Sequence, residues 1–266
     1  MHAVEKAVTK MGARLKWEVT PPSGDANTRW MFQEYSVNVR RDEHGEFFVI
    51  TRFSDATTEF DVLDVQPRDR HLLLLTRKGK EKRRFLLGHD ERHWFVCGIP
   101  EKTPVTRVRD AIQALKPDSI IEREHGIRVR ERNRRSNHAR TRQGEWFFVP
   151  VPEARVNKRL ILRKEPLQRF PRSKPHMCDE LFRQGGETVY VDFAADQALT
   201  QSEYNRLTSE QRARGTWRVM KRNPRVLVRG AVRHPDHKTV FLDEWHEVFI
   251  NTEEEARAAR NVGFLD

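Results

Sequence analysis

The segment 233–247 carries the residue types that most often bind metal ions or transfer protons, since three histidines and several carboxylates lie within it. The pair Pro235-Asp236 predicts a turn between two strands, so side chains from both strand ends can converge. Imidazole and carboxylate groups are ligands for Zn, Mn or Fe, and a His–Asp pair can act as acid and base. The predicted catalytic residues are His234, Asp236, His237 and His246, and the predicted metal ligands are His234, His237 and His246.

Two basic residues, Arg233 and Lys238, flank this turn. Their positive charges would repel a metal ion but attract a phosphate, which suits a site that cleaves phosphodiesters. The segment therefore predicts a metal-dependent hydrolase such as a nuclease. An ordinary polar hairpin turn is the alternative interpretation, because Pro-Asp is common in turns.

A second chemical candidate is the segment His176-Met-Cys178. A cysteine close to a histidine indicates a thiol nucleophile or a metal ligand. The segment 176–184 is predicted as a short helix, and residues two apart on a helix point to different faces, which weakens a direct His–Cys pair. His176 could instead join the histidines of 233–247 in space and make a fuller site.

Positive charge is concentrated in the middle of the chain. The formal net charge is +11, and residues 118–175 carry 16 basic and 7 acidic residues. The arginines run directly into an aromatic strand, and proteins that bind single strands combine a cationic groove with aromatic faces. The alternative is a solvated linker followed by core aromatics. The predicted nucleic-acid contacts in this region are Arg128, Arg130, Arg132, Arg134, Arg135, Arg140, Arg142 and Trp146.

A further basic group lies on a predicted strand that begins at residue 225. Arg225, Arg229 and Arg233 fall at odd positions, with Val226 and Val228 between them. On a strand this spacing places the arginines on one face and the valines on the other. The row is predicted to contact phosphates, and an ordinary solvated face is the alternative.

The elements that must position these residues are mostly strands. Between 28 and 99, short apolar segments alternate with turn signals at the spacing of an antiparallel sandwich or barrel. The run His71-Leu-Leu-Leu-Leu75 predicts a strand buried on both faces. One helix is predicted with Thr103 as its N-cap and an apolar face reaching Leu115, and another over 200–214 with a capping box.

These patterns predict a mainly β fold (β-rich α+β) with two antiparallel barrel- or sandwich-like units and a few short helices. Residues 1–117 are predicted as an N-terminal β-rich domain closed by a helix. Residues 118–143 are predicted as an Arg-rich linker or basic arm, and residues 144–266 as a C-terminal β-rich domain.

Several protein classes are excluded by what the sequence lacks. It has no run of 18 apolar residues and no apolar leader at its start, so we expect no membrane partner. Its two cysteines lie 81 positions apart and form no disulfide framework, which favours a cytoplasmic setting. It has neither a glycine-rich phosphate loop nor a Gly-x-Ser-x-Gly motif.

Three functions remain as hypotheses. The first is a nucleic-acid-binding protein, with RNA or single-stranded DNA favoured over duplex, that uses its arginine clusters and neighbouring aromatics. The second is an enzyme, a hydrolase with a divalent metal cofactor centred on residues 234–246. The third is an interaction module that binds an acidic protein through the same arginines. The sequence alone does not decide whether the protein is an enzyme.

Overall fold

The computed structural model describes residues 2–21, 34–54, 56–101, 104–169, 173–192, 194–195 and 197–253. Strands make up 50% and helices 18% of the chain, which confirms the predicted mainly β fold with a few short helices. Several antiparallel sheets form within these ranges, and none of them closes into a barrel.

The first part of the chain packs one helix against two sheets. Its first elements are α1 (His2–Lys10), β1 (Leu15–Thr20), β2 (Tyr35–Asp42) and β3 (Gly45–Phe53). Apolar residues at helical spacing bury one face of α1. The three strands form a sheet of order β1-β3-β2, in which β1 runs parallel to β3 and β2 antiparallel to it.

A four-stranded antiparallel sheet follows in chain order, formed by β4 (Glu59–Gln66), β5 (His71–Lys78), β6 (Glu81–Asp90) and β7 (His93–Ile99). Leu72 and Leu74 of β5 pack into the core that contains α1. Leu73, between them, packs on the opposite face against the helix that follows β7. A continuous leucine run is needed here because both faces are covered, which confirms the prediction.

That helix, α2 (Val108–Ala114), covers the four-stranded sheet with its apolar face, as predicted. It begins later than expected, with Arg107 at the N-cap position and no side-chain cap. The predicted cap, Thr103, lies outside the described residues.

The rest of the chain adds two more sheets. In chain order the elements are α3 (Asp118–Arg123), α4 (Val129–Arg132), β8 (Ser136–Asn137), β9 (Arg140–Gln143), β10 (Trp146–Pro150), a 3-10 helix (Lys158–Leu160), β11 (Leu162–Leu167), β12 (His176–Gln184), β13 (Glu187–Asp192), β14 (Gln197–Thr200), α5 (Gln201–Arg206), α6 (Ser209–Arg214), β15 (Arg218–Arg222), β16 (Arg225–Arg233) and β17 (Val240–Ile250). Seven of these strands form one antiparallel sheet of order β11-β12-β16-β17-β10-β9-β8, and three form another of order β14-β13-β15.

The segment 118–143 differs from the predicted linker, because it folds into α3, α4, β8 and β9. Its centre is a buried charge cluster in which Glu124 accepts from Lys116 (2.5 Å) and from Arg140 (2.9 Å). Arg140 also donates to the backbone carbonyls of Arg134 and Arg135. These bonds satisfy buried groups that a solvated linker would not contain.

The segment 176–184, predicted as a helix, is strand β12. Its hydrogen-bonding partners are β11 on one side and β16 on the other, so it lies inside the seven-stranded sheet. Pairing on both edges overrides a weak local helix pattern. This correction is central to the site, because it places His176 at a strand end.

The predicted helix 200–214 is two helices, α5 and α6, separated at Leu207, whose backbone is extended. Each has its own capping box, formed by Thr200 with Glu203 and by Thr208 with Gln211. The second box is the local signal for the break.

No helix in the described part of the chain is long and apolar enough to cross a membrane.

Candidate metal centre

Three histidines converge at one end of the seven-stranded sheet. His176 begins β12, and His234 and His237 lie in the connection between β16 and β17. Because β12 and β16 are antiparallel neighbours, with Met177 opposite Arg233, the start of one strand lies beside the end of the other. One ligand atom from each histidine lies within 4.8 Å of the other two.

The three rings are stacked. The ring centroids of His176 and His234 are 4.2 Å apart, and those of His234 and His237 are 4.7 Å apart. Three imidazoles this close disfavour protonation of one another, since like charges repel. Burial first, and then the charges of the neighbouring rings, lower the pKa of His234 to about 4. Burial and the charge of His176 also lower the pKa of His237. Both rings are therefore neutral at pH 7, the form that binds metal ions.

Gln143 fixes the orientation of His176. The Gln143 Nε2 amide donates to the carbonyl oxygens of Val232 (3.1 Å) and Lys238 (2.9 Å). Its Oε1 must then face His176, whose Nδ1 lies 2.9 Å away. Since Oε1 accepts, Nδ1 carries the hydrogen and Nε2 keeps its lone pair in the neutral ring. In metal sites, a ligand histidine usually binds the metal through one ring nitrogen and donates the N–H of the other to a fixed acceptor.

Glu145 supplies a carboxylate beside this ring. Its Oε2 lies 3.7 Å from Nε2 of His176. Burial opposes the ionisation of Glu145, but the contact with His176 in its protonated form outweighs burial and lowers the pKa of Glu145 to about 2. The carboxylate is therefore negatively charged at neutral pH.

His234 is held by its own turn. Its Nδ1 accepts from the backbone N–H of Asp236 at 3.1 Å, so the neutral ring carries its hydrogen on Nε2. Coordination of a metal ion by His234 requires the ring to give up this hydrogen bond.

His237 has a ring nitrogen that lacks a partner. Its Nδ1 is buried and has no hydrogen bond within the described part of the protein. Buried polar atoms are nearly always paired, so an orphaned one indicates a missing ligand or water. Gly144 makes room for this ring, because an added Cβ would lie only 2.8 Å from Nε2 of His237. The φ of Gly144 is +56°, a backbone conformation that also favours glycine.

Asp236 and His246, which the sequence places in the site, lie outside the group of possible ligands. Asp236 pairs with Lys174 (2.9 Å) and approaches His93 (3.6 Å). His246 lies opposite Val228 on β17, six residues beyond the start of that strand and past a register shift against β16. Residues 239–242 and 246–250, predicted as separate strands, belong to the single strand β17, and the three ligand atoms that converge do not include one from His246.

Cys178 is not a nucleophile in this structure. It is fully buried in the core of the seven-stranded sheet, and burial raises the pKa of its thiol to about 12. A reactive cysteine needs a lowered pKa and access to solvent.

The structure also corrects the predicted nucleic-acid contacts. Arg140 is buried with Glu124, and Trp146 is buried in the core, so neither can touch a strand of nucleic acid. Arg225 pairs with Glu247 (2.8 Å), Arg229 with Glu180 (2.6 Å), and Arg233 with Asp179. Each arginine of the predicted row is thus paired with a carboxylate of a neighbouring strand, and its side chain is still partly exposed.

The other six arginines of 128–142 divide into two groups. Arg132 donates to the carbonyl of Ile127, Arg135 pairs with Glu91, and Arg142 pairs with Asp90. The remaining three are exposed, namely Arg128, Arg130 and Arg134.

Two residues of the site, Gln143 and Glu145, were missed by sequence reasoning. They flank Gly144, and a glycine between two polar residues just before the predicted aromatic strand was the signal available. That signal predicts a turn, but it carries no information about the histidines on the other side of the sheet.

No family model, curated protein or solved structure matches this chain. A function therefore has to follow from the geometry of the site.

Proposed function

We propose that the protein is a metal-dependent hydrolase whose divalent ion is held by His176, His234 and His237. The observation that carries this proposal is the convergence of three histidine ligand atoms within 4.8 Å from two distant segments. The orphaned Nδ1 of His237 and the fixed orientation of His176 support it independently.

The ligand set fits zinc or a similar ion. Nitrogens around a tetrahedral zinc ion lie about 3.3 Å apart, so ligand atoms within 4.8 Å need only small side-chain rotations to reach it. Imidazole is a good ligand for Zn, Cu, Fe and Ni. Three protein ligands leave a position open, which is typical of catalytic rather than structural zinc sites.

Hydrolysis assigns a role to Glu145. The oxygen of a water molecule bonds to the acyl carbon or phosphorus of an ester, and the bond to the leaving oxygen breaks. The Glu145 carboxylate accepts the proton of the attacking water and returns it to the leaving oxygen. A divalent ion supplies Lewis-acid polarisation of the group under attack.

The first test measures metal binding without reference to a substrate. Metal-free protein is titrated with Co²⁺, whose visible absorption reports coordination geometry, and with Zn²⁺ against a chelating dye. We expect one equivalent to bind, and His237→Asn to weaken binding at least tenfold. His246→Asn is the matched control and should bind as the wild type does. Binding lost equally in both variants, or the absence of stoichiometric binding, would contradict the proposal.

The second test measures hydrolysis. The zinc-loaded protein is incubated with nitrophenyl acetate, nitrophenyl phosphate and a labelled single-stranded oligonucleotide. We expect turnover of at least one of them that is abolished by a chelator and reduced at least a hundredfold in Glu145→Gln. Retention of full activity in that variant would remove Glu145 from the mechanism.

Nucleic-acid binding remains a second candidate, because Arg128, Arg130 and Arg134 are exposed together on and beside α4. If these three side chains contact phosphates, replacing all three by Gln should reduce the salt dependence of single-stranded RNA binding by about 2 in log–log slope. An unchanged slope would show that this face does not bind RNA.

A further inference from the structure

A cavity of about 370 Å³ adjoins the metal centre. It lies between the four-stranded sheet, which contributes residues of β6 and β7, and the seven-stranded sheet, which contributes residues of β9 and β10. His234, His237 and Glu145 are part of its lining. Groups bound in the cavity would therefore be presented to the proposed metal ion.

The size of the cavity limits what can enter. Sites for small molecules have volumes of roughly 300–1,000 Å³, and this one lies near the lower end of that range. A nucleic-acid duplex is too large to enter a cavity of this volume. The space suits one compact organic molecule.

The walls are largely apolar. Phe95 and Val96 of β7, Leu86 of β6, Ile112 of α2 and Phe147 of β10 all line the cavity. Aromatic and aliphatic walls favour a ligand with an apolar body, because burial of such a body removes apolar surface from water.

Arg142 brings a positive charge to this apolar space. It lies directly opposite Phe147 in the pairing of β9 with β10, so both side chains are on the same face of the sheet and line the cavity. One amino group of Arg142 lies 3.2 Å from Asp90, and the other donates to the carbonyl of Gly144 at 3.4 Å. These contacts fix the guanidinium, which has five N–H donors in total and can bind a second oxyanion with the others.

Positive charge exceeds negative charge next to Arg142. Lys116 and Arg140, which also line the cavity, share the single carboxylate of Glu124. Burial is the main cause that lowers the pKa of Lys116 to about 8, and the charges of Arg140 and Arg142 act in the same direction. These three cations face the carboxylates of Glu124 and Asp90. Elsewhere in the lining Arg169 pairs with Glu253, and Glu145 carries a further negative charge, so the attraction for an anion is local to the free donors of Arg142.

Building on the proposed hydrolase function, we propose that the cavity binds a small organic anion, a carboxylate or a phosphate monoester with an apolar body. Its anionic group is held by Arg142, and its body packs against Phe147 and Phe95. His234 and His237 line the same cavity, so a bond of the bound molecule can be presented to the histidines and hydrolysed there.

The test compares three probes that share one apolar body, namely 1-naphthoate, 1-naphthyl phosphate and 1-naphthol. Their affinities are measured by titration calorimetry with the full chain, first metal-free and then zinc-loaded. We expect at least one of the two anions to bind tenfold more tightly than naphthol. The carboxylate and phosphate arms identify which anion the site prefers.

Arg142→Gln should abolish the preference for the anion while leaving naphthol binding unchanged. Arg142→Lys, which keeps the charge but loses the planar fork, should give an intermediate preference. Arg123→Gln, an exposed arginine at the end of α3, is the matched control and should behave as the wild type does. Melting temperatures of all variants check that each one is folded.

The two proposals fail in different ways. Stoichiometric zinc binding with no preference for the anions, or with a preference that survives in Arg142→Gln, would overturn the substrate class and leave the metal site intact. Arg142-dependent anion binding in a protein that does not bind zinc would support the cavity and overturn the hydrolase.

Discussion

Replacement of Gln143 tests how the site is held together. This side chain is 1% exposed and connects three parts of the structure through hydrogen bonds, to His176, Val232 and Lys238. Gln143→Leu keeps the approximate volume but removes all three bonds. Gln143→Glu keeps the acceptor for His176 but loses the donor to the two carbonyls.

The expected loss in the free energy of unfolding depends on which groups lose their hydrogen-bond partners. The Lys238 carbonyl also accepts from Arg135, so it keeps one hydrogen bond. The Val232 carbonyl and the Nδ1–H of His176 both lose the Gln143 bond. At about 1 kcal/mol for each lost bond, Gln143→Leu should lower the free energy of unfolding by about 2 kcal/mol. Release of the His176 ring should also weaken zinc binding by about 10–100-fold.

The assay combines urea unfolding of the metal-free protein with zinc titration against a chelating dye. Gln66→Leu, at an exposed position of β4, is the control for exchanging the same residue types. We expect Gln143→Glu to be destabilised as well, because a carboxylate would face two carbonyl oxygens. Wild-type zinc affinity in a folded Gln143→Leu protein would refute the reasoning that this amide orients a ligand.

Three further predictions concern stability and pH. The pKa of Lys116 is lowered from 10.5 to about 8 in the folded protein, so the unfolded chain binds more protons between pH 8 and pH 10.5. The free energy of unfolding should therefore rise with pH across that window. Urea midpoints measured at several pH values should show this rise, and a smaller one in Lys116→Met. Gly144→Ala should weaken zinc binding and lower the melting temperature more than Gly126→Ala. Both glycines have positive φ, but only an alanine at 144 would place a Cβ against His237. Equal effects of the two substitutions would contradict this explanation. Phe148→Ala should lower the free energy of unfolding by about 3–5 kcal/mol in urea, because Phe148 is fully buried, and a loss below 1 kcal/mol would show that this core is not well packed.

The strands that follow from local pattern were predictable from the sequence. The leucine run of β5 identifies a strand covered on both faces, and the structure places the two cores there. The capping box at Thr200 marks the start of α5. These features depend on residues within a few positions of each other, whose types alone decide the local conformation.

The assignment of β12 failed for the opposite reason. A short polar-apolar segment such as 176–184 has no decisive local preference, and its partners β11 and β16 decide its conformation. Strand pairing between segments about 50 positions apart cannot be read from either segment alone.

The charged residues show the same difference between what the sequence reveals and what the fold decides. The sequence establishes the excess of arginine and its concentration in the middle of the chain. Only the folded chain shows that Arg229 lies against Glu180, or that Arg140 is buried with Glu124. The charge of a residue is a property of its type, but whether that residue can bind a ligand depends on which groups the fold places beside it.

The candidate site combines both kinds of information. His234 and His237 lie three positions apart on one turn, so the sequence alone places them together. His176 reaches them because β12 and β16 are neighbours. Gln143 and Glu145 lie on and beside β9, four strands from β12 in the sheet, and meet His176 only because the fold brings these strand ends together. A sheet brings together strand ends that are distant in sequence, which is why the turn was visible in the sequence and the three-histidine centre only in the tertiary structure.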